Sequence, residues 1–215
     1  MRPDVAYYDL EAAAEISTKE RLFVLRLQAN EDAAYDELVR SYHASIFHVA
    51  YRMLGDAESA EDAAQETFLR AYQHLHRYDQ KRPFATWILS IAAHYCIDRL
   101  RRRKFSMVSM DADEDENSLE LPDADAPNPE LEMVHSEQRE RLQGLLKRLD
   151  GTDRAAIVMR YWHDCSETEI AEALHLTVSA VKSRLHRARR ELAGLWQEDH
   201  PQPKPERRPH ESPAF

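Results

Sequence analysis

Residues 166–192 read SETEIAEALHLTVSAVKSRLHRARREL, and this stretch decides the fold. Ser166 followed three positions later by Glu169 is a capping box, a reciprocal pairing that satisfies two backbone N–H groups at a helix start. Ile170, Ala171 and Leu174 then share one apolar face. His175-Leu176-Thr177 makes a turn, and the Thr177 hydroxyl can cap the helix that follows. Val178, Val181, Leu185, Ala188 and Leu192 recur at helical spacing and face the core, while Lys182, Arg184, Arg187, Arg189 and Arg190 mostly point elsewhere. The small Ala171 lets the two helices cross closely, and Val181 fills their corner. Two helices, a short turn and a basic second helix make a helix-turn-helix, whose second helix suits a DNA major groove. His175 stands at the turn position where a positive φ favours glycine. Histidine tolerates that region better than a branched side chain, at some cost. A basic solvated helix in an ordinary bundle would account for the charge, but not for its agreement with cap, turn length and core spacing.

The chain has 215 residues, enough for one or two domains. Four glycines and few β-branched runs favour an all-α fold. No stretch has the apolar length of a membrane span, and the N-terminus has no signal-peptide pattern, so no membrane insertion and a cytoplasmic location are expected. Cys96 and Cys165 lie far apart without ligand-like spacing, which fits buried thiols in a reducing compartment better than a disulfide or a metal site. No cofactor is expected.

A net charge of −10 is unusual for a nucleic-acid binder, but its distribution resolves the conflict. Residues 105–137 hold eleven Asp and Glu and no Lys or Arg, so that stretch carries −11 and the remainder +1. Residues 61–104 hold nine basic and five acidic side chains, and residues 138–195 hold eleven and eight. Two mildly basic modules therefore flank an acidic strap. Phosphate attraction can act on each module locally, and the strap can repel DNA from the free protein.

Outward from the helix-turn-helix, a helix is expected to begin near Thr18 or Lys19 with Leu22, Leu25 and Leu27 on its apolar side. The next places Tyr35, Leu38, Val39, Tyr42, Ile46, Val49, Ala50 and Met53 on one face. Gly55 stops it and Asp56 caps a helix over about 57–75, whose inward residues are Ala60, Ala63, Ala64, Phe68, Ala71 and Leu75. After a polar loop, Pro83 suits the start of a helix carrying Trp87, Ile88, Ile91, Ala92, Tyr95 and Leu100. Residues 105–130 lack helical periodicity and are too polar to order themselves. Leu142, Leu145, Leu146 and Leu149 share the next apolar face. Gly151-Thr152 then breaks and caps, and Ile157, Val158, Tyr161 and Trp162 continue the core. A Pro-rich, charged, mobile tail is expected after residue 195.

Three segments carry a resemblance. They are Asp62-Ala-Ala-Gln65-Glu66-Thr-Phe68-Leu69-Arg70-Ala-Tyr72, then Phe84-Ala-Thr86-Trp87-Ile88 with Ile91-Ala92 and the run Asp98 to Lys104, then Val181-Lys182-Ser183-Arg184-Leu185-His186-Arg187-Ala188-Arg189. In this order and spacing the chain resembles the extracytoplasmic-function sigma factors of bacterial RNA polymerase, over residues 31–104 and 138–195. The resemblance implies two small helical domains joined by an acidic flexible linker. Their boundaries would be an N-terminal extension over 1–30, a region-2 domain over 31–104, the linker over 105–137, a region-4 domain over 138–195 and the tail over 196–215.

It also implies roles. Asp62, Gln65, Glu66, Phe68, Leu69, Arg70 and Tyr72 would meet core polymerase at the β′ clamp helices, with the β flap as a second contact. Tyr78, Lys81, Arg82, His94, Asp98, Arg99, Arg101, Arg102 and Arg103 would serve the −10 element, with Tyr78 offering a ring for an unstacked base and the arginines tracking the backbone. Ser179, Ala180, Lys182, Ser183, Arg184, His186, Arg187 and Arg190 would serve the −35 element, Lys182 and Arg187 on guanine acceptors or phosphates, Arg184 and Arg190 on the backbone. Ser179 and Ala180 stand where the family often has Gly and Thr. Such a protein is not an enzyme, is a monomer when free, and has relatives held inactive by an anti-sigma partner. An operator-binding dimer would explain residues 166–192 but leave 57–104 idle. A nuclease would have only His163-Asp164-Cys165 to draw on, without a phosphate loop or a metal-spaced ligand set.

Overall fold

The computed structural model describes residues 18–109 and 129–199, with side chains over 18–105 and 138–198. Among these residues every regular element is helical. Residues 18–28 form α1. The helices that follow are α2 Asp32–Leu54, α3 Ala57–His74 with a 3-10 turn Leu75–Arg77, α4 Phe84–Ser109, α5 Pro129–Arg148, α6 Gly151–Trp162, α7 Glu167–Ala173 and α8 Val178–Asp199. The strap and tail expectations at 110–128 and 200–215, and the extension at 1–17, lie outside the described residues.

Local chemistry sets the breaks between helices. Asn30 (φ 57°) ends α1, and the Glu31 N–H returns to the Arg26 carbonyl at 3.2 Å. Arg26 then ties α1 to the start of α2 by pairing with Glu31 and Glu37. Gly55 ends α2 at φ 91°, with its N–H on the Tyr51 carbonyl. It also lies so close to α5 that an added Cβ would sit 2.4 Å from Lys147 Cε. Asp56 caps α3 by accepting from the Ser59 N–H at 2.7 Å. The alanines of α3 (Ala60, Ala63, Ala64, Ala71) are buried and bring its axis close to α2 and α4.

The N-terminal module is built around Phe84. Its ring is fully buried, and Phe23, Tyr42, Tyr78 and Trp87 surround it at centroid distances of 5.2–5.6 Å. Burial of that one side chain contributes about 1.5–3 kcal/mol. Glu20 of α1 accepts from the Phe84 N–H, so α1 caps α4 from a distance. The buried side of α1 is Val24 and Leu27; Leu22 and Leu25 are more than half exposed, against the expected apolar face. Both sets have helical spacing, and packing against Phe84 selects the one with Phe23 beside it.

In the C-terminal module the capping box is present, with Glu169 N–H on Ser166 Oγ and Ser166 N–H on Glu169 Oε2. His175 adopts φ 54°. The Leu176 N–H bonds to the Ala171 carbonyl at 2.8 Å, closing a Schellman turn in which His175 takes the glycine position. Val181, Leu185 and Ala188 are buried as expected; Val178, Tyr161, Leu142 and Val39 keep 37–51 % of their surface, because each lies at the margin of its apolar stripe.

The two modules are packed on each other, which the sequence reading did not anticipate. Arg154 of α6 is buried and donates to the carbonyls of Met53 at the end of α2 and of Lys147 and Leu149 at the end of α5. One cation thus satisfies two helix C-termini, where it also complements their dipoles. Burial lowers its pKa to about 10, with Asp150 opposing the shift. Gln143 of α5 donates to the Tyr51 and Arg52 carbonyls, and the Arg52 guanidinium lies 4.7 Å from the Trp162 ring centre. α4 extends to Ser109 and α5 begins at Pro129, so helix enters the span expected as linker from both sides. α8 runs on to Asp199, where Arg141 covers the Trp196 ring at 4.8 Å.

Candidate nucleic-acid interface

On α8, the Thr177 hydroxyl accepts from the Ala180 N–H at 3.1 Å and sets the helix start. Burial of Val181, Leu185 and Ala188 turns Ser179, Ser183, His186 and Arg190 outward as an exposed stripe. Lys182 flanks it on one side, 3.6 Å from Glu167. Half-buried Ala180 lies on the other side with Arg184 and Arg187, which turn toward α6. There Asp153, almost fully buried, accepts from Arg184 Nη1 at 2.5 Å and from Arg187 Nε and Nη2 at 3.1 and 2.6 Å. Arg184 is 30 % exposed and Arg187 60 %, so the second keeps access to a ligand. Hydrogen bonding to Asp153 holds the Arg187 pKa above its usual value.

On α4 and the loop before it, the expected −10 residues divide. Lys81, Arg101, Arg102 and Lys104 are exposed. Asp98 lies 3.5 Å from Arg101. Arg99 reaches back to α3, with Asp62 at 3.4 Å and Ser59 Oγ at 3.2 Å, and Arg103 bonds Ser59 Oγ at 2.9 Å. Arg82 pairs with Glu172 of α7 at 3.2 Å. Thr86 donates to Glu169 at 3.2 Å. The His94 ring lies 5.0 Å from the His175 ring. α7 and its turn therefore sit on the α4 surface. Burial of the Glu169 carboxyl alone would raise its pKa, but hydrogen bonds from Ser166 and Thr86 hold it below the usual value. Tyr78 is a correction: it is 8 % exposed, donates to the Arg82 carbonyl at 2.5 Å and packs on Phe84 and Trp87. Its ring is used in the core and offers no open face to a base, and burial pushes its phenol pKa upward.

On α3, Asp62, Gln65, Leu69 and Tyr72 are exposed along one edge. Glu66 and Arg70 pair at 2.6 Å, and Arg70 covers the Tyr95 ring at 5.0 Å. Phe68 is half-buried, stacked on His43 (6.5 Å, 7°), and Tyr72 meets Tyr35 edge-on at 5.2 Å. Exposed aliphatic and aromatic surface beside carboxylates forms a face suited to another protein. Among the described residues no group of His, Cys, Asp and Glu could hold a metal ion, and no helix is long and apolar enough to cross a membrane. Cys96 and Cys165 are free and buried, and burial raises their pKa values to about 12 and about 11.

Asp153, Arg154 and Glu172, and the contact of Glu169 with Thr86, were not foreseen from the sequence. The available signal was an acid in the first turn of one helix ahead of arginines three apart on another.

Residues 38–106 match the family described as Sigma-70 region 2, and residues 139–192 that described as Sigma-70, region 4. The chain is 33 % identical over 181 residues to the ECF RNA polymerase sigma factor SigW of Bacillus subtilis, covering 83 % of this chain and 96 % of SigW. It is 34 % identical over 167 residues to ECF sigma factor SigL of Mycobacterium tuberculosis, covering 77 % of this chain and 88 % of SigL. Among solved structures, CnrH in complex with the cytosolic domain of CnrY is similar at a TM-score of 0.60 and 25 % identity, covering 84 % of this chain and 98 % of that one. The sigma factor RpoE of Bartonella quintana, in complex with the anti-sigma factor NepR, shares the fold at a TM-score of 0.60 and 17 % identity. With both regions matched in order, the chain belongs to the ECF family of RNA polymerase sigma factors.

Proposed function

We propose that this chain binds core RNA polymerase in the cytoplasm through the exposed edge of α3, grips duplex −35 DNA with α8, and captures an unpaired −10 strand with α4 and the loop before it. The observation that carries this reading is the outward stripe of α8, Ser179, Ser183, His186 and Arg190, left exposed in a chain that holds both sigma regions. The β′ clamp helices are the partner for Asp62, Gln65, Leu69 and Tyr72, and the β flap for the C-terminal module. On this reading nucleotide transfer is the polymerase's chemistry, and this chain contributes binding energy that favours melted DNA.

The packing of α7 on α4 adds a step. Positions −35 and −10 lie about 25 base pairs apart, about 85 Å along B-form DNA. Helices in mutual contact cannot serve both, so α7 must leave Arg82, Thr86 and His94 before the promoter is fully engaged. The packed form is then the monomeric resting state, and polymerase, with its separated binding sites, favours the open one. An anti-sigma partner would act by stabilising the packed form.

Run-off transcription with purified core polymerase on pooled genomic fragments tests the function. Start sites should appear only when this chain is added, and should share two sequence motifs at fixed spacing. Start sites that are the same with and without the chain would overturn the reading.

A further inference from the structure

We infer that Asp153 of α6 is a positioning residue for DNA reading: its carboxylate holds Arg187 of α8 with one edge of the guanidinium free for a guanine. This rests on the −35 role proposed for α8. Asp153 is third in its helix, where a carboxylate is favoured by the helix dipole, and its side chain is 4 % exposed. A buried carboxylate that meets two guanidiniums keeps little freedom. Arg184 is the more enclosed of the two and closes off Asp153 Oδ1, while Arg187 takes Oδ2 through Nε and Nη2.

The geometry of that second pair matters. A guanidinium has two edges that can present parallel N–H groups, one of Nε and Nη2 and one of Nη1 and Nη2. Asp153 occupies the first. The second has no protein acceptor among the described residues and lies on a side chain 60 % exposed, beside the outward stripe of α8. Two parallel donors match O6 and N7 of guanine in the major groove. An arginine already fixed loses less rotamer entropy on binding than a free one, and it presents its edge at one angle. The pairing thus turns a flexible cation, which could settle on any nearby phosphate, into a reader of one base pair. Lys182 on the opposite flank meets Glu167 at 3.6 Å and, among the described residues, has no such clamp.

The test uses holoenzyme assembled from the full chain and core polymerase. The template is a promoter that the wild-type chain initiates on, with its −35 element randomised, and transcript abundance reports preference at each base pair. Asp153→Asn and Arg187→Lys should each flatten preference at the same G·C pair by about tenfold, leaving other −35 positions and the −10 preference in place. The double variant should be no worse at that pair than either alone. Arg187→Lys keeps the charge at an exposed site, so an unchanged preference in that variant overturns the proposal even if Asp153→Asn fails to fold. Preference at every pair like that of the wild type, or uniform weakening across all pairs, would overturn the proposal, the second outcome marking Arg187 as a phosphate contact. Failure of the wild-type chain to direct initiation on any fragment would instead sink the underlying function.

Discussion

The two helices proposed to face DNA differ in how the fold treats them. The outer stripe of α8 is open, and its flanking arginines are tied down within their own module by Asp153. The proposed −10 surface is instead partly occupied by the other module, with Arg82 of the preceding loop and Thr86 and His94 of α4 each in contact with α7 or its turn, while Arg101 and Arg102 farther along α4 stay exposed. One reader is prepared and accessible; the other is covered at the N-terminal part of its helix. The difference implies an order of events, in which duplex contact through α8 needs no rearrangement and strand capture through α4 does.

The sharpest way to break this contrast is to prevent the rearrangement. Arg82 and Glu172 are both exposed and adjoin across the seam. Cysteines at the two positions, joined by a short bis-maleimide, should abolish open-complex formation, a loss of about a hundredfold or more, because geometry then forbids simultaneous engagement. Binding to a short −35 duplex should survive. Permanganate footprinting of the melted strand and a gel shift on the duplex measure the two separately. Equal loss of both would mean that α8 also depends on opening.

Much of α8 could be read from the residues alone, and the reason is locality. Capping box, turn and reading helix lie within 27 consecutive residues, and His175 takes the positive φ that its position demanded. The seam could not be read that way. Gln143 meets the end of α2 and Arg154 the Met53 carbonyl across 91–101 residues of chain, and nothing in helical periodicity marks such partners. Tyr78 shows a related limit: a loop tyrosine before a basic helix has the composition of a stacking platform, and only its packing on Phe84 and Trp87 turns it into core. On α1, equally spaced residues offered two apolar faces, and the choice of Val24 and Leu27 depends on a partner more than fifty residues away.

A smaller but still large effect is expected from Arg154→Leu. Removing the guanidinium strands the carbonyls of Met53, Lys147 and Leu149, each left without its strongest donor. Hydrogen bonds to a charged group contribute about 1.5–3 kcal/mol each and do not add fully, so the loss should be about 3 kcal/mol in urea unfolding. The same variant should loosen the seam, raising the radius of gyration measured by X-ray scattering. A stability loss without expansion would show that the modules are held by their apolar contact alone.

The mildest perturbation is acid, and it separates the two regions by their titratable groups. His163, just after α6, has its pKa lowered by burial and then by the charges of Arg52 and His48, with Asp164 opposing. His48 of α2 is lowered by burial and by Arg52. Both histidines belong to the seam, where Arg52 also packs on Trp162. Above pH 6.5, the ordinary histidine value, they are neutral whether folded or unfolded and cost nothing. As pH falls below 6.5 the unfolded chain takes up protons first, so stability declines until the lowered folded values are passed. Moving from pH 7.5 to 5.5 should therefore weaken the seam by less than Arg154→Leu does, and His163→Gln should reduce the dependence. The clamp of Asp153 on Arg184 and Arg187 holds no histidine, and its arginines stay charged throughout that range. In a His186→Gln variant, which removes the histidine of the outward stripe, binding to a −35 duplex should accordingly hold between those pH values while the scattering radius rises. If the radius stayed constant while duplex binding fell, the acid-sensitive region would be α8 and not the seam, and the contrast between a covered helix and an open one would lose its physical basis.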